Sequence, residues 1–91
     1  LERKKILVEG LNEVKGISCV DPGGAMYVFP NIKGTGMNSD DFSEYVLDKI
    51  GVGVLPGNNF GKNGEGYIRM CYATSQDDII LALSRLKELF G

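Results

Sequence analysis

The stretch YIRMCYA, residues 67–73, places an arginine in the middle of an otherwise apolar strand. A strand turns successive side chains to opposite sides. Ile68, Met70 and Tyr72 therefore share one face, and Tyr67, Arg69, Cys71 and Ala73 share the other. The first set suits a core beneath helices. The second carries a guanidinium, which stays ionised at every physiological pH. The fold must therefore bury one side of this strand and turn the other elsewhere.

The rest of the chain supplies the helices. Leu7, Leu11 and Val14 stand at spacings of four and three in LERKKILVEGLNEV, one stripe of a helix widened by Ile6 and Val8. Gly10 weakens the middle of that helix by about 1 kcal/mol relative to alanine, and Gly16 is the expected stop. ISCV (17–20) is short and β-prone. DPGG (21–24) reads as a turn, and AMYVFPNI (25–32) as a strand that Pro30 ends or confines to an edge. These two strands are candidates for a hairpin.

Beyond the KGTGMN loop, Ser39 stands where an N-cap belongs, with Asp40 and Asp41 in the first turn. Phe42, Tyr45, Val46 and Ile50 make one apolar face, and Gly51 marks the stop. VGVLPG (52–57) reads as a short strand, and NNFGKNGEG (58–66) as a loop. Ser75 and Asp78 resemble a capping box for a last helix with Ile79, Ala82, Leu83, Leu86 and Phe90 on one face.

The expected order is α-β-β-α-β-β-α. It defines an α/β (α+β) fold, a two-layer sandwich of a small sheet packed against helices. Ninety-one residues suit one domain, residues 1–91, with a modest core. The net charge of −2 offers no basic field for nucleic acid or an acidic membrane. No apolar run approaches the ~20 residues of a membrane span, and no signal peptide is visible, which favours the cytosol. There are two cysteines, Cys19 and Cys71, and no histidine, which argues against a structural zinc site and for buried free thiols. Leu1 begins inside a helical pattern, which is expected of a piece cut from a longer protein.

Arg69 is the main candidate for chemistry. Its planar fork can bind a carboxylate through two parallel hydrogen bonds. The competing reading, favoured on spacing alone, is an internal ion pair to Glu65 or an aspartate. GKNGEG lacks the spacing of a phosphate-binding P-loop and precedes a strand rather than a helix. Tyr27, Phe29 and Phe60 read first as packing aromatics. The acidic pairs Asp40–Asp41 and Asp77–Asp78 are explained by helix first turns. Without histidine there is no Ser–His or Cys–His constellation.

In combination, PGGAMYVFPNI, SDDFSEYVLDKIGVGVLPGNNFG and GEGYIRMCYATSQDDIILALSRL resemble the C-terminal small domain of class I/II aminotransferases. These are pyridoxal-phosphate (PLP) enzymes of the aspartate aminotransferase type. The resemblance covers nearly the whole chain. It implies that Arg69 binds the α-carboxylate of the substrate, that Phe60 and Gly61 form a loop bordering the active site, and that Tyr27 lies near the domain interface. It also implies that the PLP lysine and phosphate-binding residues belong to a large domain outside these residues. No catalytic, cofactor-binding or metal-binding residue is then expected in this chain, and none of the cofactor on it alone.

The implied parent moves an amino group between an amino acid and a 2-keto acid, contacts its own large domain and works as a homodimer. Two alternatives stay open. One is the small domain of another fold-type I PLP enzyme, a lyase or synthase. The other is a free-standing, non-catalytic amino-acid-binding or regulatory module.

Overall fold

A computed structural model describes residues 2–20, 27–71 and 75–91, with positions 60, 62 and 71 described by their backbone alone. The DPGG turn, the start of the strand expected at 25–32, and Tyr72 and Ala73 lie outside the described residues.

Helix α1 (Glu2–Asn12) buries Leu7 and Leu11, and Val14 extends the stripe just past its end. It stops before Gly16 because Asn12 turns its side chain onto the backbone. Asn12 Nδ2 donates to the Val8 carbonyl at 3.0 Å and to the Cys19 carbonyl at 2.7 Å, while the Cys19 N–H donates to Asn12 Oδ1 at 2.9 Å. Gly16 follows in the left-handed region, φ 87°, with its backbone against Gly34.

The same asparagine corrects the first expected strand. Residues 17–20 form no strand, only a bridge between Ser18 and Asn31. The Cys19 groups that would extend a ladder are already satisfied by Asn12. The Cys19 side chain is buried, as expected of its residue type, with its Sγ 3.6 Å from the Val20 carbonyl.

Strand β1 (Tyr27–Val28) is followed by a 3₁₀ turn, Lys33–Thr35, and by helix α2 (Ser39–Ile50). The cap of α2 is Asn38, not Ser39: Asn38 Oδ1 accepts the Asp41 N–H at 2.8 Å. Ser39 is the first helical residue and is fully buried. Phe42 and Val46 are fully buried, and Gly51, at φ 71°, ends the helix by donating to the Leu47 carbonyl.

Strand β2 (Leu55–Pro56) leads through the 3₁₀ turns Gly57–Phe60 and Lys62–Gly64 to strand β3 (Ile68–Cys71). Helix α3 (Gln76–Phe90) is capped by Ser75, whose hydroxyl accepts the Asp78 N–H at 3.1 Å. Its Ile79, Leu83 and Leu86 are buried, and Phe90 stacks on Phe42 with ring centroids 5.4 Å apart. Gly10 of α1 lies against Leu83. A Cβ there would overlap the leucine methyls, so glycine allows the close approach of α1 and α3.

The described residues thus form three helices and a three-stranded antiparallel sheet ordered β1-β3-β2. Pairs Tyr27↔Cys71 and Val28↔Met70 join β1 to β3, and Leu55↔Arg69 and Pro56↔Ile68 join β2 to β3. β1 lies at an edge, where the nearby Pro30 withdraws no donor from a central ladder. Val28, Ile68 and Met70 enter one core with Leu7, Leu11, Phe42, Val46, Ile79 and Leu83. Alternation along β3 turns Arg69 to the opposite side.

Candidate functional site

Arg69 projects from the central strand of the sheet and is half-buried. Its guanidinium carbon lies 4.3 Å from the centroid of the Tyr27 ring. Tyr27 sits on the neighbouring strand, also half-buried, two positions along the β1–β3 register. On the other flank, Leu55 is paired with Arg69 and is 43% exposed. A recess of about 310 Å³ opens here, lined by Tyr27, Gly53, Val54, Leu55 and Arg69. A Cβ at Gly53 would meet no atom within 4 Å, so the recess is open on that side.

This arrangement has a definite chemical capacity. A flat cation stacked on an aromatic face is a suitable partner for a planar anion, which it meets through its N–H edge. Among the described residues, the recess offers a cation and a ring but neither a lysine nor an acid. Its described residues can therefore bind and orient a carboxylate, but they include no amine with which to hold pyridoxal phosphate covalently. The described residues of the recess do not fit that cofactor.

Of the expected site residues, Arg69 and Tyr27 come together. Gly61 is exposed in the loop between β2 and β3, in an extended positive-φ conformation (φ 130°, ψ 170°), and does not line the recess. Phe60 ends the Gly57–Phe60 turn, and its side chain is outside the described atoms. Glu65, considered above as a partner for Arg69, is bonded to the start of α2. Its Oε2 accepts the Ser39 N–H and the Gly66 N–H, both at 2.8 Å. Asn58 Nδ2 donates to its Oε1 at 3.4 Å. These donors hold the Glu65 carboxyl below its ordinary value, the Ser39 N–H most of all, while burial acts in the opposite direction.

Sequence reasoning did not single out Gly53, Val54 and Leu55 as recess lining. The pairing of Leu55 with Arg69 across the hairpin carries the signal, but it requires a register that the Gly- and Asn-rich loop length does not fix.

The fold and recess define a small α/β unit that presents an arginine suited to an anionic ligand. The family model for aminotransferase class I and II matches residues 1–86, and the chain belongs to that family. An aspartate aminotransferase of Pyrococcus horikoshii is 52% identical over 87 residues, covering 96% of this chain and 22% of that protein. The aromatic-amino-acid aminotransferase 2 of Thermococcus litoralis is 44% identical over 89 residues, covering 97% of this chain and 23% of that protein. Among solved structures, an aromatic aminotransferase from Pyrococcus horikoshii superposes with a TM-score of 0.92 at 43% identity, covering 97% of this chain and 23% of that one. The chain thus spans less than a quarter of the length of these relatives.

Proposed function

We propose that this chain is the C-terminal small domain of a pyridoxal-phosphate-dependent aminotransferase and that Arg69 binds the α-carboxylate of its amino-acid and 2-keto-acid substrates. The stack of Arg69 on Tyr27 within an open recess is the observation that carries this reading. Two relatives add support: one is named for aspartate and the other for aromatic amino acids. Those substrates differ in their side chains and share the α-amino acid group, which an arginine can recognise by its carboxylate end.

In this reading Arg69 anchors the carboxylate through two N–H groups and so fixes the orientation of Cα, a contribution of positioning. Tyr27 holds the guanidinium plane. Val54 and Leu55 flank it with apolar surface. Phe60 and Gly61 belong to a loop that borders the active site when the domain meets the rest of the polypeptide. Pyridoxal phosphate supplies the electron sink for amino transfer and is held by a large domain outside these 91 residues. The parent is a cytoplasmic homodimer in this account.

The test is made on the longer protein. Arg69→Ala should lower kcat/KM for amino acids by about a hundredfold or more, the scale of a lost bidentate charged contact. The absorbance of the bound cofactor should survive. Undiminished kcat/KM would refute the role of Arg69.

A further inference from the structure

We propose that Glu65 is a positioning residue for the Arg69 recess, fastening the β2–β3 hairpin loop to the start of α2; this rests on the reading of Arg69 as the carboxylate ligand. Arg69 and Leu55 face each other only two residues above the point where the hairpin opens into its loop. The loop's base is closed by the Gly57 N–H, which donates to the Tyr67 carbonyl at 2.7 Å. A loop left free to swing would pull on that base, and the register that sets the recess would loosen with it.

Two features oppose such movement. The loop is packed through its own backbone: Gly57 and Gly64 lie so close that a Cβ on either would overlap the other's backbone. That packing consolidates the loop, and the Gly66 carbonyl, accepting the Ile32 N–H at 2.8 Å, holds its end beside the segment after β1, but neither reaches α2. Glu65 supplies the tie to α2. Its Oε2 takes the Ser39 N–H, one of the unpaired donors at the first turn of α2, together with the N–H of Gly66. The buried Ser39 hydroxyl accepts the Gly66 N–H at 2.8 Å and has two acceptors within reach, the Tyr67 carbonyl at 3.0 Å and Glu65 Oε2 at 3.2 Å. Loop, β3 entry and helix therefore meet at one carboxylate.

Asn58 extends the tie to the Gly57–Phe60 turn. Its Nδ2 bridges Glu65 Oε1 and Asp40 Oδ2, the latter at 3.2 Å. Its Oδ1 is buried with no hydrogen-bond partner among the described residues. An unpaired buried amide oxygen is costly, so the geometry favours the donor side of Asn58 at the expense of its acceptor side. Lys33 covers Gly66 with its aliphatic stem and places its ammonium 5.3 Å from the Tyr67 ring, closing the far side of the joint.

The experiment compares Glu65→Ala and Glu65→Gln with the unaltered longer protein. It reads KM and kcat for the amino acid, inhibition by the same acid lacking its amino group, and folded content by circular dichroism. Glu65→Ala should raise KM and the inhibition constant together by about tenfold, with kcat changed by less than about threefold. Glu65→Gln keeps a neutral acceptor and should fall between, at about threefold. Lower thermal stability with unchanged KM in the folded protein would overturn the positioning role and leave only a structural contact. If Glu65→Ala does not fold, Glu65→Gln decides alone, and a KM equal to that of the unaltered protein overturns the proposal. Arg69→Ala run alongside separates the two claims. A raised KM there, with none in either Glu65 variant, sinks the positioning role alone; no rise in any of them sinks it together with the reading of Arg69.

Discussion

The Arg69 guanidinium carbon stands 4.3 Å from the centre of the Tyr27 ring, with the two residues on adjacent antiparallel strands. Such a stack contributes about 0.5–2 kcal/mol and, more to the point, fixes the plane of the fork. Tyr27→Leu in the longer protein should therefore raise the amino-acid KM by about two- to thirtyfold. Tyr27→Phe keeps the ring face and should stay within about twofold of wild type. Equal losses in both would assign the effect to the phenol hydroxyl instead. Steady-state kinetics on the pair decides it.

Glu65 makes stability depend on acid. Its carboxyl is held below the ordinary value of 4.5, first by the Ser39 N–H and then by the Ser39 hydroxyl, the Gly66 N–H and the Asn58 amide, with burial opposing them. A folded-state value below the unfolded one gives stability that is fully present above the unfolded value. That stability is lost as pH falls through the folded one. Glu65→Gln should thus be less stable than wild type at pH 7, with the gap closing as pH drops below 4.5. Denaturant unfolding across pH checks this, and a gap independent of pH would contradict it.

The glycines make a graded prediction. Gly10→Ala gains about 1 kcal/mol of helix propensity but drives a methyl into the buried Leu83 side chain, an overpacking that costs about 1–3 kcal/mol. The net is a loss of up to about 2 kcal/mol, softened because leucine methyls can turn. Gly64→Ala meets the Gly57 backbone, which cannot turn aside, and should cost more. Equilibrium unfolding of the two variants ranks them.

Asn12→Ala removes the side chain that occupies both the N–H and the carbonyl of Cys19. The loss should be about 1–3 kcal/mol, since the Cys19 backbone lies beside a buried side chain and is left without its partner. By contrast Ser75→Ala removes an exposed cap and should cost about 1 kcal/mol.

These residues also show where a sequence speaks and where it is silent. The helices were legible because their apolar stripes repeat: Leu7–Leu11, Phe42–Val46 and Ile79–Leu83–Leu86 are all buried. The two faces of β3 were legible from alternation alone. Asn12 was not, because a side chain standing in for a strand partner leaves no periodic trace. The cap of α2 was misplaced by one residue because Asn38 and Ser39 are both capping types. What separates them is that Ser39 is drawn inward toward Glu65 and Tyr67, contacts 26 and 28 residues away in the chain. At the candidate site, Arg69 was legible from its odd position in a strand. Its Leu55 neighbour depends on hairpin register and was not.

The central claim is that Arg69 recognises a carboxylate. The direct measurement is the dissociation constant of a non-reacting carboxylic acid, the substrate without its amino group, set against that of its uncharged amide. The longer protein should bind the acid about a hundredfold more tightly than the amide, and Arg69→Ala should bind the two about equally. An Arg69→Ala variant that keeps the full preference for the acid would contradict the account.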